Sequence, residues 1–441
     1  MSLISVLVTG GVGVVGVPVL YAAGLLVLRG CARTSWWTAI TLAPPVSAGV
    51  AAFATLAGPT TLTWGVLIAL LTAVAVSTRS RRGPVPPGKQ TRTVVLGAVA
   101  VVLAACWRAW PTLADIPPDG RGLTATLDAL TPYAAGGGTA VGPLTAVPFL
   151  VTAVAVPAGV AALARLTLPR LPLAAPVAAA LVVLAPLPSA TTALALAPAT
   201  VALVLRTQRQ GWPPLGCAVS ALAVAGLGSG GGTAVAGAAV LAGAAVLETL
   251  VRRRHRALSR PLEAARIAGC AAICLVALVP WAPWTSWAGG VPYTATGMSG
   301  ALRELALLDG GRDGTGPLST TLLATALGWT GLVLLAVRAR AWWPLLTAGA
   351  FGGLFVLTVG AGWPGDPARL LPLVVLLVAL GIGAATGAAL RLLTAPTVRP
   401  TPALAALLVV VWGLVGGALW YGSQSTAPHD EAVRPPGRAA R

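Results

Sequence analysis

Leu370–Leu390 reads LLPLVVLLVALGIGAATGAAL, an uncharged run that ends at Arg391. At about 1.5 Å per residue, a helix of that length matches the roughly 30 Å hydrocarbon core of a bilayer. Pro372 stands at the start of the run, where a missing N–H costs a helix little. Gly381, Gly383 and Gly387 provide the small-residue spacing that lets helices approach closely in lipid. The stretch therefore reads as a membrane-spanning helix, and the rest of the chain repeats its pattern.

Of the 441 residues, 56% are hydrophobic and only 9% charged. The mean hydropathy is +0.86. A soluble domain carries about 25% charged residues, so this chain cannot cover a water-exposed surface. Fourteen apolar stretches are long enough to be spans: 3–28, 36–57, 61–77, 93–110, 142–164, 171–187, 190–205, 214–228, 232–250, 266–282, 317–337, 342–360, 370–390 and 402–421. The expected fold is all-α, a polytopic integral membrane bundle forming a single domain over 1–421, with a disordered tail at 422–441. Pro44, Pro45, Pro148 and Pro157 are expected to kink their helices or re-aim the ends. The pairs 171–187 with 190–205 and 214–228 with 232–250 are joined by very short links, and read either as full spans or as re-entrant hairpins. MSLISVLVTG at the start has no basic n-region and reads as part of a first span, not a cleaved signal.

The net charge of +18 comes from 29 Lys and Arg against 11 Asp and Glu. With the N-terminus outside, 21 of those 29 basic residues fall in alternate, cytoplasmic loops. They include Arg79, Arg81 and Arg82; Arg165 and Arg170; Arg206 and Arg209; Arg252 to Arg254; Arg338 and Arg340; and Arg391. Nine of the eleven acids fall on the other side, all but Glu248 and Glu263. This is the positive-inside pattern. It implies an N-out, C-out multi-pass protein of the plasma membrane, and it assigns the charge to topology and not to nucleic acid. Membrane lipids are the expected partners, and Arg252–Arg256 is placed to touch anionic headgroups.

Polar chemistry concentrates in three outer loops, 111–141, 282–316 and 361–369. Two of them hold amphipathic stretches: Leu123, Leu127 and Leu130 share one face, and so do Leu302, Leu305 and Leu308. Both stretches are expected to lie on the outer membrane surface. Trp107, Trp110, Trp281, Trp284, Trp287 and Trp363 suit an aromatic belt. The cysteines form no framework, because Cys106, Cys217, Cys270 and Cys274 lie in apolar runs and Cys31 lies in a basic loop. Cys270 and Cys274 have helical spacing but no His or acid nearby to complete a metal site. The run Gly226–Ala234, GLGSGGGTA, lacks the Lys-Ser/Thr of a phosphate loop and reads as a turn or a close helix contact.

The remaining candidates are the outer acids Asp115, Asp119, Asp128, Glu304, Asp309, Asp313 and Asp366. An outward carboxylate near the membrane can hold a divalent cation with a phosphate ligand, or act as general base on a sugar hydroxyl. Asp366 also stands where it can cap a helix N-terminus, and Arg369 where it can grip an anion.

Two segments carry a family resemblance: Thr126-Leu127-Asp128-Ala129-Leu130, and Trp363 to Leu373 with Asp366, Arg369 and Leu370. They resemble a T-x-D-A-V-F-H motif after the fourth span and a Y-N-D-x-x-R-L motif before a late span. An actinobacterial family of polytopic membrane proteins carries both, and it is similar in layout to the GT-C glycosyltransferases that use polyprenyl-phosphate sugars. Pro132 stands in place of the motif His, and Pro364-Gly365 in place of Tyr-Asn. The resemblance implies handling of a lipid-linked sugar in cell-envelope assembly. Asp128 would be the catalytic carboxylate; Asp366, Arg369 and Asp115 would contact substrate. Metal and cofactor are left open. The alternatives are a multi-pass transporter or lipid flippase, which glycine- and proline-broken helices suit, and a non-catalytic scaffold subunit, which the replaced motif positions suit.

Overall fold

The computed structural model describes residues 21–30, 36–56, 158–168, 192–229, 232–252, 260–281, 302, 305, 318–360 and 371–394. These residues are helical apart from short turns, with no strand among them. Eight helices are named here: α1 Trp36–Leu56, α2 Thr192–Arg209, α3 Pro214–Ser229, α4 Gly232–Arg252, α5 Arg260–Leu278, α6 Leu318–Arg338, α7 Trp343–Gly360 and α8 Leu371–Thr394. A 3-10 turn, Val279–Trp281, extends α5. Tyr21–Gly30 and Ala158–Thr167 are further helical stretches. Each named helix overlies one expected span. The expected spans 61–77, 93–110, 171–187 and 402–421 lie outside the described residues, as do the tail 422–441 and the amphipathic stretch 123–130.

The helices pack as two groups. One is α1, α2, α3 and α5, and the other is α6, α7 and α8; α4 touches members of both. Leu373–Leu380 of α8 is buried along its whole length. The outward surface is apolar as well: Leu275, Val276 and Val279 on α5 and its extension are 64%, 70% and 70% exposed. Leu247 on α4, Val337 on α6 and Leu346 on α7 are also exposed. Pro261–Leu278 is long and apolar enough to cross a membrane by length and composition.

Two contacts set the helix spacing. A Cβ at Gly331 of α6 would run into the carbonyl of Gly381 on α8, and one at Gly381 into the carbonyl of Gly328. A Cβ at Gly49 of α1 would likewise strike the carbonyl of Leu222 on α3. The backbones therefore touch, and only glycine fits. A Cβ at Gly226, in the glycine run, would come within 2.5 Å of Pro45 O on α1.

Directions follow from the pairs in contact. Gly328 meets Val378 and Gly331 meets Gly381, so α6 and α8 run parallel. Gly159 lies against Ala199, while Arg209 reaches Leu166, so Ala158–Thr167 and α2 also run parallel. Gly237 near the start of α4 abuts Leu373 near the start of α8. Glu248, near the end of α4, meets the start of α7. Helix α4 therefore crosses the whole bundle. Only two residues separate it from α3, and both 214–229 and 232–252 are unbroken helices.

Helix α1 continues through Pro44 and Pro45. Pro44 has no N–H for the carbonyl of Ile40 one turn earlier. The Tyr21 hydroxyl donates to that carbonyl at 2.6 Å and replaces the missing partner. Hydroxyls inside other helices turn back on their own backbone: Thr200 to Leu196 O, Thr347 to Trp343 O and Thr386 to Ile382 O. Leu305 packs against α7 beside Gly352, while Leu302 is 52% exposed. The bundle thus takes up part of the apolar face that the sequence assigned to the membrane surface.

Two stability predictions follow from these contacts. Tyr21→Phe leaves Ile40 O unpaired and is expected to cost about 1–3 kcal/mol, read as a lower thermal midpoint in detergent; an unchanged midpoint contradicts the proline repair. Gly331→Ala is expected to lower the midpoint more than Gly349→Ala, because nothing lies within 4 Å of a Cβ at Gly349.

Candidate functional site

Asp128, Asp366, Arg369 and Asp115 all lie outside the described residues. The described helix ends that flank 361–370 do have a position. Gly360 ends α7 and Leu371 begins α8, both at the far pole from the arginines that close α6 and α8, Arg338 and Arg391.

The arginine pole is built from helix ends. Helix α2 closes with Gly211 N–H bonded to Gln208 O at 3.0 Å and Trp212 N–H to Thr207 O at 3.0 Å. This is a Schellman turn, with Gly211 left-handed at φ 78° and Pro213 blocking further helix. Trp212 is left-handed too, at φ 60°, which is rare for so large a residue. Its ring packs on Cys217 of α3 and Cys270 of α5. The Thr207 and Ser220 hydroxyls meet at 3.0 Å and tie α2 to α3. Arg209 donates to Leu166 O, at the end of Ala158–Thr167. Arg266 of α5 donates to Gly211 O at 3.5 Å. Arg206 differs: its Nε is buried and has no hydrogen-bond partner. Burial, and then the neighbouring charge of Arg165, lowers its pKa.

Glu248 and Glu263, the two acids that break the charge pattern, both lie near helix starts. The Glu248 carboxylate accepts the Trp342 N–H at 3.0 Å and the Trp343 N–H at 2.6 Å. Those groups begin α7, where backbone N–H groups have no partner within the helix and the dipole favours an anion. Glu263 lies in the first turn of α5. For Glu248 a helix terminus accounts for the carboxylate on the arginine side.

Sequence spacing paired Cys270 with Cys274 but could not show that Cys217 joins them. All three are free thiols. No group of three His, Cys, Asp or Glu among the described residues is arranged to hold a metal ion. Nor could the sequence separate Arg206 from the other arginines at helix ends, because the charge of Arg165 reaches it from a distant part of the chain. Chemically, the described residues of this pole offer cations and N–H donors, which suit an anion.

Glu248→Ala is expected to lower stability by about 1.5–3 kcal/mol, the usual range for hydrogen bonds to a charged group, with a change in tryptophan emission from Trp342 and Trp343. No change in either would remove Glu248 as the cap of α7. No protein-family model, curated protein or solved structure matches this chain.

Proposed function

We propose that the chain is a multi-pass plasma-membrane protein of about fourteen spans that handles a lipid-linked sugar, or a related envelope precursor, at its outer pole. The observation that carries this reading is the division of the described bundle into two poles. Arg209 bonds to Leu166 O, next to Arg165, and Arg266 bonds to Gly211 O just past α2, so Arg165, Arg206, Arg209 and Arg266 share one pole. Val246 of α4 packs on the same Trp212 cluster, and Glu248 just beyond it holds the start of α7 beside Arg338 and Arg340. That is the arrangement expected of a cytoplasmic face. The helix ends flanking Asp366 and Arg369 point to the other pole. The exposed leucines and valines between the poles suit lipid.

On this reading Asp128 is the base or cation-holding carboxylate in a GT-C-like arrangement. Asp115 and Asp366 supply further polar contacts, and Arg369 holds the lipid phosphate. A guanidinium fits that last role because it donates two parallel hydrogen bonds to phosphate oxygens. Membrane lipids and a polyprenyl-phosphate-linked sugar are the partners this implies.

The test is complementation of a strain in which loss of the gene alters envelope glycans. Asp128→Ala and Arg369→Ala, present at wild-type level, are expected to leave the altered glycans in place. Restoration of normal glycans by both variants overturns the site assignment.

A further inference from the structure

Arginines from three elements meet at the arginine pole, and two of them already have partners. Arg209 covers Leu166 O and Arg266 covers Gly211 O, each a carbonyl at or next to a helix end. Arg206 has no such task. It is only partly exposed, its Nε–H is buried without a partner, and the charge acting on it is that of Arg165, a second cation on Ala158–Thr167. Two acids are present among the described residues; Glu248 caps α7 and Glu263 lies in the first turn of α5. Two more buried N–H donors without partners are Gln208 Nε2, two residues along α2, and Trp212 Nε1, just past its end, on residues 3% and 6% exposed.

A partly buried cation beside a like charge is unfavourable until an anion joins it. The Arg209 bond to Leu166 O and the contact of Gly159 with Ala199 hold the segment that carries Arg165 against α2. Two guanidiniums on neighbouring elements suit a phosphate group, whose oxygens accept paired N–H bonds and whose negative charge offsets theirs. We propose that Arg206 and Arg165 bind a phosphate group at the arginine pole, with the Arg206 Nε–H as one of its donors. An anionic lipid headgroup and soluble phosphate present the same chemistry. The site lies at the opposite pole from the helix ends Gly360 and Leu371, and the proposal does not depend on the sugar-handling reading.

The experiment uses the full chain in lipid nanodiscs and reads the thermal midpoint under three conditions: phosphatidylcholine alone, phosphatidylcholine with phosphatidylglycerol, and phosphatidylcholine with inorganic phosphate in the buffer. The wild type is compared with Arg206→Met, Arg165→Gln and the control Arg338→Gln, whose side chain is exposed at the same pole. The wild-type midpoint is expected to rise by a few degrees when the phosphate group is supplied. That rise is lost in Arg206→Met, at least halved in Arg165→Gln and kept in Arg338→Gln. In phosphatidylcholine alone, Arg206→Met matches or exceeds the wild type, because it removes a cation that nothing offsets. A rise with phosphatidylglycerol only identifies the lipid headgroup as the ligand, and a rise with inorganic phosphate identifies the soluble ion. The proposal is overturned if neither raises the wild-type midpoint, or if Arg206→Met and Arg165→Gln rise as much as the wild type. Should Arg206→Met fail to fold, Arg165→Gln, altered only at an exposed side chain, decides the matter by the same comparison.

Discussion

The absence of side chains at Gly331 and Gly381 governs how this bundle assembles. Helices α6 and α8 meet backbone to backbone, and a methyl group at either position would collide with a carbonyl. Where the exterior is as apolar as the interior, burying leucine adds little drive for helices to associate. Close dispersion contact between backbones then has to supply it. The same device joins α1 to α3 at Gly49. With α6 and α8 fixed in parallel, α7 returns between their ends, and α4 links this group to the other through Glu248 at the start of α7 and Gly237 against Leu373 of α8.

A second constraint acts at the helix ends and at the prolines. Backbone groups without partners are costly wherever water is scarce. The few polar side chains in the described bundle are spent largely on them: Tyr21 on Ile40 O, Glu248 on the first N–H groups of α7, Arg209 on Leu166 O, and Arg266 on Gly211 O. Against that background Arg206 is conspicuous, being a cation whose buried donor serves no backbone group.

Much of the helical framework was legible in the sequence. Uncharged runs of about 20 residues mark helices because length and polarity must match a bilayer, and the bounds of α1 and α8 agree with expectation to within a few residues. The function of Glu248 was not legible, since a carboxylate near an arginine-rich loop looks like an exception until α7 is brought to it. The continuity of α1 through Pro44 and Pro45 depends on a tyrosine from another segment. Of the candidate site, the sequence offered Asp128, Asp115, Asp366 and Arg369 from loop position and motif alone, and the residues described here add the positions of the helix ends that flank the last two.

What the sequence determined by itself is the all-helical class and the segregation of charge, because both follow from local composition: apolar length sets a helix, and basic residues mark one end of it. What only the tertiary structure decided is which helices touch and which polar groups find partners. Gly331 meets Gly381, Cys217 joins Cys270, and Arg209 reaches Leu166 O. These pairs join segments far apart in the chain. An unvarying background of Ala, Gly, Leu and Val encodes no register between helices, so the register is set by the few places where a backbone can come close enough to touch.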